Sequence, residues 1–217
     1  MKSDVDLQAD VLEELTWEPS VNAASIGVTA NDGVITLTGM VDSYAEKRAA
    51  EQAVKRVTGV RGVAQELEVR LPALAERTDT DIARAAASAL EWDIAVPHQD
   101  VRVTVHQGWV TLEGKVEWQY QRSAAERAVR NLTGVRGVTD LITLKPRMNA
   151  SAIKEKIEAA FKRNAELAAQ KVSVEARDGK AILNGRLRSW AERNEAERAA
   201  WAAPGVTSVE SHLTVGF

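Results

Sequence analysis

The residues of this chain that could carry out chemistry are scattered, and none forms a known catalytic or metal-binding pattern. His98, His106 and His212 form no i, i+4 pair and have no carboxylate at a ligand spacing, so the sequence predicts no zinc site. The chain has no cysteine, which excludes a disulfide framework, a cysteine-ligated metal and a thiol nucleophile. The motifs of serine hydrolases, P-loop enzymes, dinucleotide-binding enzymes and zinc metalloproteases are also absent. We therefore predict a protein that is not an enzyme, with no catalytic residues, no metal and no cofactor.

Composition indicates a globular protein rather than a membrane-spanning or nucleic-acid-binding one. Hydrophobic residues make up 45% of the 217 residues, which is enough for buried cores. The net charge of −3, from 28 basic and 31 acidic side chains, does not favour nucleic acid, which is usually bound by a clustered basic excess. No run approaches the ~20 apolar residues that span a bilayer, and the first residues lack the apolar segment of a signal peptide. We expect a cytoplasmic protein, or a periplasmic one if a signal peptide has been removed.

The dominant feature of the sequence is an internal repeat. The segment Thr-Gly-Val-Arg-Gly-Val at 58–63 recurs unchanged at 133–138, which is 75 residues later, and an offset of 71 residues then reveals a third, more diverged copy. Pro72 and Pro146 mark the joints, so the sequence predicts three tandem domains at 3–71, 78–145 and 149–217. Three glycines recur in every copy: Gly33, Gly39, Gly59, Gly108, Gly114, Gly134, Gly179, Gly185 and Gly205.

Each copy shows the pattern of five elements in the order α-β-β-α-β. Ser3, Thr78 and Asn149 are N-cap residues at equivalent positions, and apolar residues follow at the i, i+4, i+8 spacing of one helix face. Two alternating strands then flank a tight turn that ends at the first repeated glycine. A second helix and a last alternating strand complete the copy. Three strands covered by two helices predict an α+β fold of three small two-layer sandwiches.

The other repeated glycines have predicted structural roles. Gly39, Gly114 and Gly185 fall on the core-facing parity of the second strand, where we expect a helix to approach the strand closely. Gly59 and its equivalents follow the second helix, where they are expected at the C′ position.

Taken together, these motifs resemble the BON domain, the family named for bacterial OsmY and nodulation proteins. The resemblance is carried by the Gly-x5-Gly pattern of each hairpin and strand (first seen at Gly33 and Gly39), by the Gly-Val pair after the second helix (Gly59-Val60), and by the final alternating strand. It covers nearly the whole chain. It implies an OsmY-like, transport-associated interaction module that responds to osmotic and envelope stress and binds phospholipid surfaces or partner proteins.

Trp118 departs most clearly from the repeat. It occupies the N-cap position that Ser43 and Ser189 fill in the other copies, although an indole cannot cap a helix. Aromatic rings beside basic side chains suit a lipid headgroup layer or a protein interface. The alternative is that these rings cover the junctions between copies. The full candidate surface is Trp118, Tyr120, Lys115, Arg122, Trp109, Tyr44 and Trp190.

Two further tryptophans end the first helix of their copies. We interpret Trp17 and Trp92 as residues at the rim of the core, and the third copy has Arg163 at the equivalent position.

Charge is unevenly divided between the copies. Residues 1–75 carry 7 basic and 12 acidic side chains, whereas residues 148–217 carry 11 basic and 9 acidic side chains.

Two function hypotheses follow. The first is a bacterial stress protein that associates reversibly with anionic phospholipid or with an envelope-linked protein partner. The second is a cytosolic osmotic-stress protein that binds a small ion or acts as a protein scaffold. The sequence sets no oligomeric state.

Overall fold

The computed structural model describes residues 2–145, 153–163 and 172–216. These residues form three successive units of the same α-β-β-α-β order. Unit 1 contains α1 Asp4–Trp17, β1 Ile26–Asn31, β2 Val34–Val41, α2 Tyr44–Arg56 and β3 Gly62–Val69. Unit 2 contains α3 Asp79–Trp92, β4 Val101–His106, β5 Trp109–Val116, α4 Gln119–Arg130 and β6 Gly137–Leu144. Unit 3 contains α5 Ile153–Arg163, β7 Val172–Arg177, β8 Lys180–Leu187, α6 Trp190–Trp201 and β9 Ser208–Val215.

Each unit has a three-stranded sheet whose strands lie in the order of the chain. The first two strands pair antiparallel as a hairpin, and the third pairs parallel to the second because a helix carries the chain back across the sheet. Both helices of a unit contribute to the same core as the sheet. The predicted α+β fold of three two-layer sandwiches is confirmed.

The hairpins turn through two residues with positive φ. In unit 1 these are Asp32 at 49° and Gly33 at 77°, and the equivalent pairs in the other units have nearly the same angles. Two left-handed residues define the turn that matches the right-handed twist of a hairpin. The first repeated glycine is therefore fixed by turn geometry.

Every unit has its own apolar core, and the helix faces predicted from the spacing are the buried ones. Helices α2, α4 and α6 bury mostly alanine, which makes the cores thin. The predicted helix residues, all at most 7% exposed, are Leu7, Val11, Leu15, Ile82, Ala86, Leu90, Ile153, Ile157 and Phe161.

The predicted helix caps form where the chain is described. The side chains of Ser3 and Thr78 accept hydrogen bonds from backbone N–H groups three residues later. Asn149 and the joint at Pro146 lie outside the described residues.

The core-facing glycines of the second strands are explained by a different contact from the one we expected. A Cβ atom on Gly39 would lie 2.2 Å from the carbonyl oxygen of Ser25, and one on Gly114 would lie 2.1 Å from that of Asp100. Both carbonyls belong to short 3-10 turns that precede the first strand of the unit. The predicted approach of a helix was wrong, because the backbone of this turn occupies the space and the glycines also have positive φ.

The last repeated glycine is displaced from its predicted place. Gly59 follows the C-cap residue Val57 by two positions, and its φ is 104°. It is therefore not the C′ residue of α2. The positive φ is what favours glycine at this position, since a Cβ atom would meet Leu7 of α1 only at an ordinary contact distance of 3.4 Å.

An aspartate at the first position of the first helix holds the hairpin turn. The carboxylate of Asp79 accepts hydrogen bonds from the backbone N–H groups of Gln107 and Gly108, both at 2.8 Å. Asp4 makes the same two contacts in unit 1. The bonds from Gly108 and Gln107 lower the pKa of Asp79 below its ordinary value.

The thermal stability of unit 2 is expected to fall when the pH drops through the folded-state pKa of Asp79. Because folding lowers this pKa from an unfolded value of about 3.9, the stabilisation is present above that value and is lost as the carboxylate is protonated. Asp79→Asn should lower the melting temperature at neutral pH and flatten its acid dependence, as measured by calorimetry. The exposed Glu91 provides the control, and equal losses for Asp79→Asn and Glu91→Gln would contradict the assignment.

Candidate interaction surfaces

The start of α4 is where unit 2 departs most from the other units. Trp118 occupies the N-cap position and its side chain makes no capping hydrogen bond, whereas Ser43 and Ser189 each accept one. The Oε1 atom of Gln121 accepts hydrogen bonds from the backbone N–H groups of Glu117 and Trp118, at 2.9 and 3.0 Å. Unit 2 therefore keeps the glutamine half of a capping box and replaces the serine half with an indole.

The residues predicted to form a surface with Trp118 differ in solvent exposure and in ion pairing. Tyr120 is 58% exposed, Lys115 is exposed on β5, and Trp118 itself is half-buried. Arg122 is held differently, because its Nε atom lies 2.7 Å from Oδ2 of Asp140. The carboxylate neutralises that guanidinium, so Lys115 is the more accessible cation of the pair.

Trp109 lies away from this surface. It begins β5 whereas Trp118 follows the end of that strand, and an eight-residue strand spans about 23 Å at roughly 3.3 Å per residue. Its ring lies across Gly137 on the open sheet face, and its Nε1 donates a hydrogen bond of 2.7 Å to Oγ1 of Thr139. The structure therefore does not bring Trp109 together with Trp118 and Tyr120.

Trp190 joins unit 3 to unit 1. Its indole packs against the core of unit 1, and its Nε1 donates a hydrogen bond of 2.9 Å to the carbonyl oxygen of Val60. The Nζ of Lys55 and the guanidinium of Arg193 lie 5.4 and 4.9 Å from the ring centroid. Both distances are within the range of a cation–π interaction.

Tyr44, at the equivalent position of unit 1, lies at the junction with unit 2. Its ring packs against the core of unit 2, and burial raises the pKa of its hydroxyl. Glu126 and Arg130 of unit 2 are among the charged groups that act on it. Trp201 of unit 3 packs against the cores of both unit 2 and unit 3. Each unit therefore contacts both of the others.

The clefts between units repeat as well. A cleft of about 980 Å³ lies between units 1 and 2, and one of about 590 Å³ lies between units 3 and 1. Gly108 and Arg136 line the first, and the equivalent Gly33 and Arg61 line the second. The same edge of a unit thus faces its neighbour in both junctions, and the three units close on one another.

The sequence identified only one side of these junctions. Tyr44 and Trp190 were candidates, and the structure places both between units, as the alternative interpretation expected. The residues on the other side of the junctions were missed. Lys55, Arg130 and Trp201 occupy one repeat position, and an alignment of the copies would have shown a large or charged side chain there in each unit.

Trp17 and Trp92 are not at the rim of the core. They are 83% and 85% exposed, because each follows the last buried residue of its helix by two positions and therefore points away from the sheet. The rings are free of the core and available to a partner. Tryptophan is enriched at protein–protein interfaces relative to the rest of the protein surface.

Metal ligands do not cluster in the described parts of the chain, where no group of three or more histidine, aspartate or glutamate side chains is arranged to hold an ion. His212 does have a carboxylate neighbour that the sequence analysis missed, since its Nε2 lies 2.7 Å from Oε1 of Glu210 on the same strand. None of the helices described is both long and apolar enough to cross a bilayer.

Comparisons with known proteins give one family model, a bacterial relative and a distant solved structure. The BON domain model matches three stretches, 3–70, 78–146 and 149–216. The osmotically-inducible protein Y of Escherichia coli (strain K12) is 30% identical over 146 residues, which cover 65% of this chain and 73% of that protein. CdsD, a structural protein of the type III secretion system of Chlamydia trachomatis, aligns over 96% of this chain and 91% of its own, with 13% identity and a TM-score of 0.26. A score this low supports no conclusion about a shared arrangement.

Proposed function

The chain belongs to the BON domain family, and from that membership we propose that it is a non-enzymatic attachment protein of an osmotic-stress response that binds an anionic phospholipid surface. The name of the Escherichia coli relative supports the link to osmotic stress. The proposed location is the cytoplasm, with the periplasm as the alternative if a signal peptide has been removed.

The observation that carries this proposal is the aromatic start of α4. Unit 2 places Trp118 and the 58% exposed Tyr120 where the other units begin the helix with a serine cap. Replacing a cap costs about 1 kcal/mol, so a local departure of this kind points to a functional site. Amphipathic rings favour the layer between lipid headgroups and acyl chains.

Electrostatics make this attachment weak and reversible. Lys115 is exposed, and each basic residue near an anionic leaflet contributes only about 1 kcal/mol. Arg122 adds less because Asp140 already neutralises it. Binding should therefore be strongest at low salt.

Replacing both Trp118 and Tyr120 with serine is expected to abolish binding to vesicles that contain phosphatidylglycerol. The aromatic rings supply the apolar part of the surface, so their loss removes the contact with the membrane interface. Co-sedimentation with anionic and zwitterionic vesicles, at low and physiological salt, measures the effect. The matched control is Trp92→Ser, an exposed indole elsewhere on unit 2, which should bind as the unchanged protein does.

Two results would overturn this proposal. One is unchanged protein that ignores anionic vesicles even at low salt. The other is a Trp118→Ser, Tyr120→Ser variant that melts at a lower temperature yet still binds, which would make the rings structural.

A protein scaffold is the second candidate, and a specific observation favours it. Trp17 and Trp92 are the most exposed aromatic rings on units 1 and 2, and carboxylates surround the first. Such a surface suits a protein partner better than an anionic leaflet. Small-ion binding lacks comparable support from the described residues.

A further inference from the structure

Units 1 and 3 differ in charge and in shape at the same place on their surfaces. In unit 3 a groove lies between α5 and the end of α6 and has a volume of about 290 Å³. Alanines 159, 160, 199, 202 and 203 line it together with Pro204, and Lys156 and Arg163 form its charged rim. The unit 3 groove is therefore apolar, open and edged with positive charge.

The equivalent place in unit 1 holds a projecting indole surrounded by carboxylates. The residues found 146 positions earlier are Asp10, Glu13 and Glu14, with Trp17 in the place of Arg163. We call this group the Trp17 knob. Lys2 pairs with Asp10, and Arg56 pairs with Glu14 and Glu18. The region around Trp17 therefore contains four carboxylates, including Glu18, and two cations, which leaves a net charge of −2.

The knob and the groove complement each other in shape and in charge. An aromatic ring buries about 150–250 Å² when it is enclosed, and small side chains leave room for it. The groove rim carries Lys156 and Arg163, both exposed, opposite the net negative charge of the knob. More widely, α1 has five carboxylates and no basic side chain, whereas α5 has a net charge of +2.

Among the described residues, the most exposed indoles, Trp17 and Trp92, do not fill this groove. Trp17 is 83% exposed, so it does not fill the groove of its own chain. Trp92 fits the groove less well, because the residues that correspond to Asp10, Glu13 and Glu14 in unit 2 are Ala85, Ser88 and Ala89. We infer that the Trp17 knob of one copy docks into the unit 3 groove of a second copy.

This contact joins different surfaces of the two molecules. A head-to-tail contact leaves a free knob at one end and a free groove at the other, so copies add in rows until a ring closes. The area is small, so the association is weak and salt-sensitive. It requires no lipid and stands independently of the proposed membrane attachment.

Sedimentation velocity across a concentration series tests the inference on the full chain. The unchanged protein should show a mass that rises with concentration and falls with added salt. Trp17→Ala should weaken association about tenfold or more, because a central aromatic anchor dominates such contacts. Lys156→Glu with Arg163→Glu should have a similar effect, because it places like charges opposite the carboxylates of the knob. All three positions are exposed, so we expect these substitutions to leave folding unchanged. Trp92→Ala is the matched control and should associate normally.

Mixing the two defective proteins gives the decisive result. Trp17→Ala retains its groove and the rim variant retains its knob, so a one-to-one mixture should form a dimer that does not grow further. The inference is overturned if the unchanged protein stays monomeric at every concentration, if Trp92→Ala is as defective as Trp17→Ala, or if the mixture stays monomeric.

Discussion

Gly114→Val is expected to destabilise unit 2 by at least ~1–3 kcal/mol through overpacking alone. The new Cβ atom would lie 2.1 Å from the carbonyl oxygen of Asp100, a backbone atom that cannot rotate away. The φ of 152° also suits glycine, and a left-handed β-branched residue adds about 1–3 kcal/mol of strain. Chemical denaturation followed by circular dichroism measures the loss.

Gly62→Ala is the control for this substitution. A Cβ atom on Gly62 would meet Val34 at 3.6 Å, an ordinary contact, and this glycine is not among those with positive φ. The free energy of unfolding should change little. Equal effects of Gly62→Ala and Gly114→Val, or no effect of the latter, would show that the 3-10 turn does not press on the strand.

Trp190→Ala is expected to lower the free energy that holds unit 3 folded against unit 1 by about 2–4 kcal/mol, somewhat less than the ~3–5 kcal/mol for a fully buried tryptophan. The substitution removes the hydrogen bond to Val60, the contact with the unit 1 core and the stacking with Lys55 and Arg193. Hydrogen exchange in α6 and β9 should accelerate, because the thin, alanine-rich core of unit 3 depends on this junction.

The matched control is Trp92→Ala, which removes the same side chain from a site that is 85% exposed. Its hydrogen exchange should match that of the unchanged protein. If both substitutions accelerated exchange in unit 3 equally, or if neither did, Trp190 would not hold the junction.

Local patterns predicted most of the fold. The helix faces, the hairpin turns and the final strands depend on neighbours within a few residues, and three copies in register removed the ambiguity that one copy leaves. Local patterns did not predict features that depend on a backbone atom far away in the sequence. The alternation of the strand predicted that Gly114 faces the core. The carbonyl of Asp100 that excludes a side chain, however, comes from a turn 14 residues earlier.

The interaction surfaces were less predictable because they depend on how the units meet. Tyr44 and Trp190 share a repeat position with Gln119, and nothing local distinguishes a junction residue from a membrane-facing one. Trp17 and Trp92, which end the first helix of their units, were predicted to lie at the rim of the core, yet both rings are exposed. Repeat alignment could have placed Lys55, Arg130 and Trp201 at one repeat position. The contact of Lys55 with Trp190 and the exposure of Trp17 required the three-dimensional structure.

The arrangement also explains how three thin cores persist in one chain. A unit of about 70 residues buries only about 60% of the surface that its unfolded chain exposes, a smaller share than a larger domain buries, so apolar rings that bridge neighbours add stability that a single copy lacks. Tyr44, Trp190 and Trp201 do this at the junctions. Aromatic residues outside the junctions, such as Tyr120 and Trp17, are then available for partners.

A distance measured between units 1 and 3 tests most directly whether unit 3 closes onto unit 1. The chain has no cysteine, so spin labels can be placed on Thr58→Cys and Arg186→Cys, two positions that line the cleft between these units. Double electron–electron resonance should give one narrow distribution at short distance, which broadens and lengthens when Trp190→Ala is added. A broad, long distribution in the labelled protein with Trp190 intact would contradict the closed arrangement.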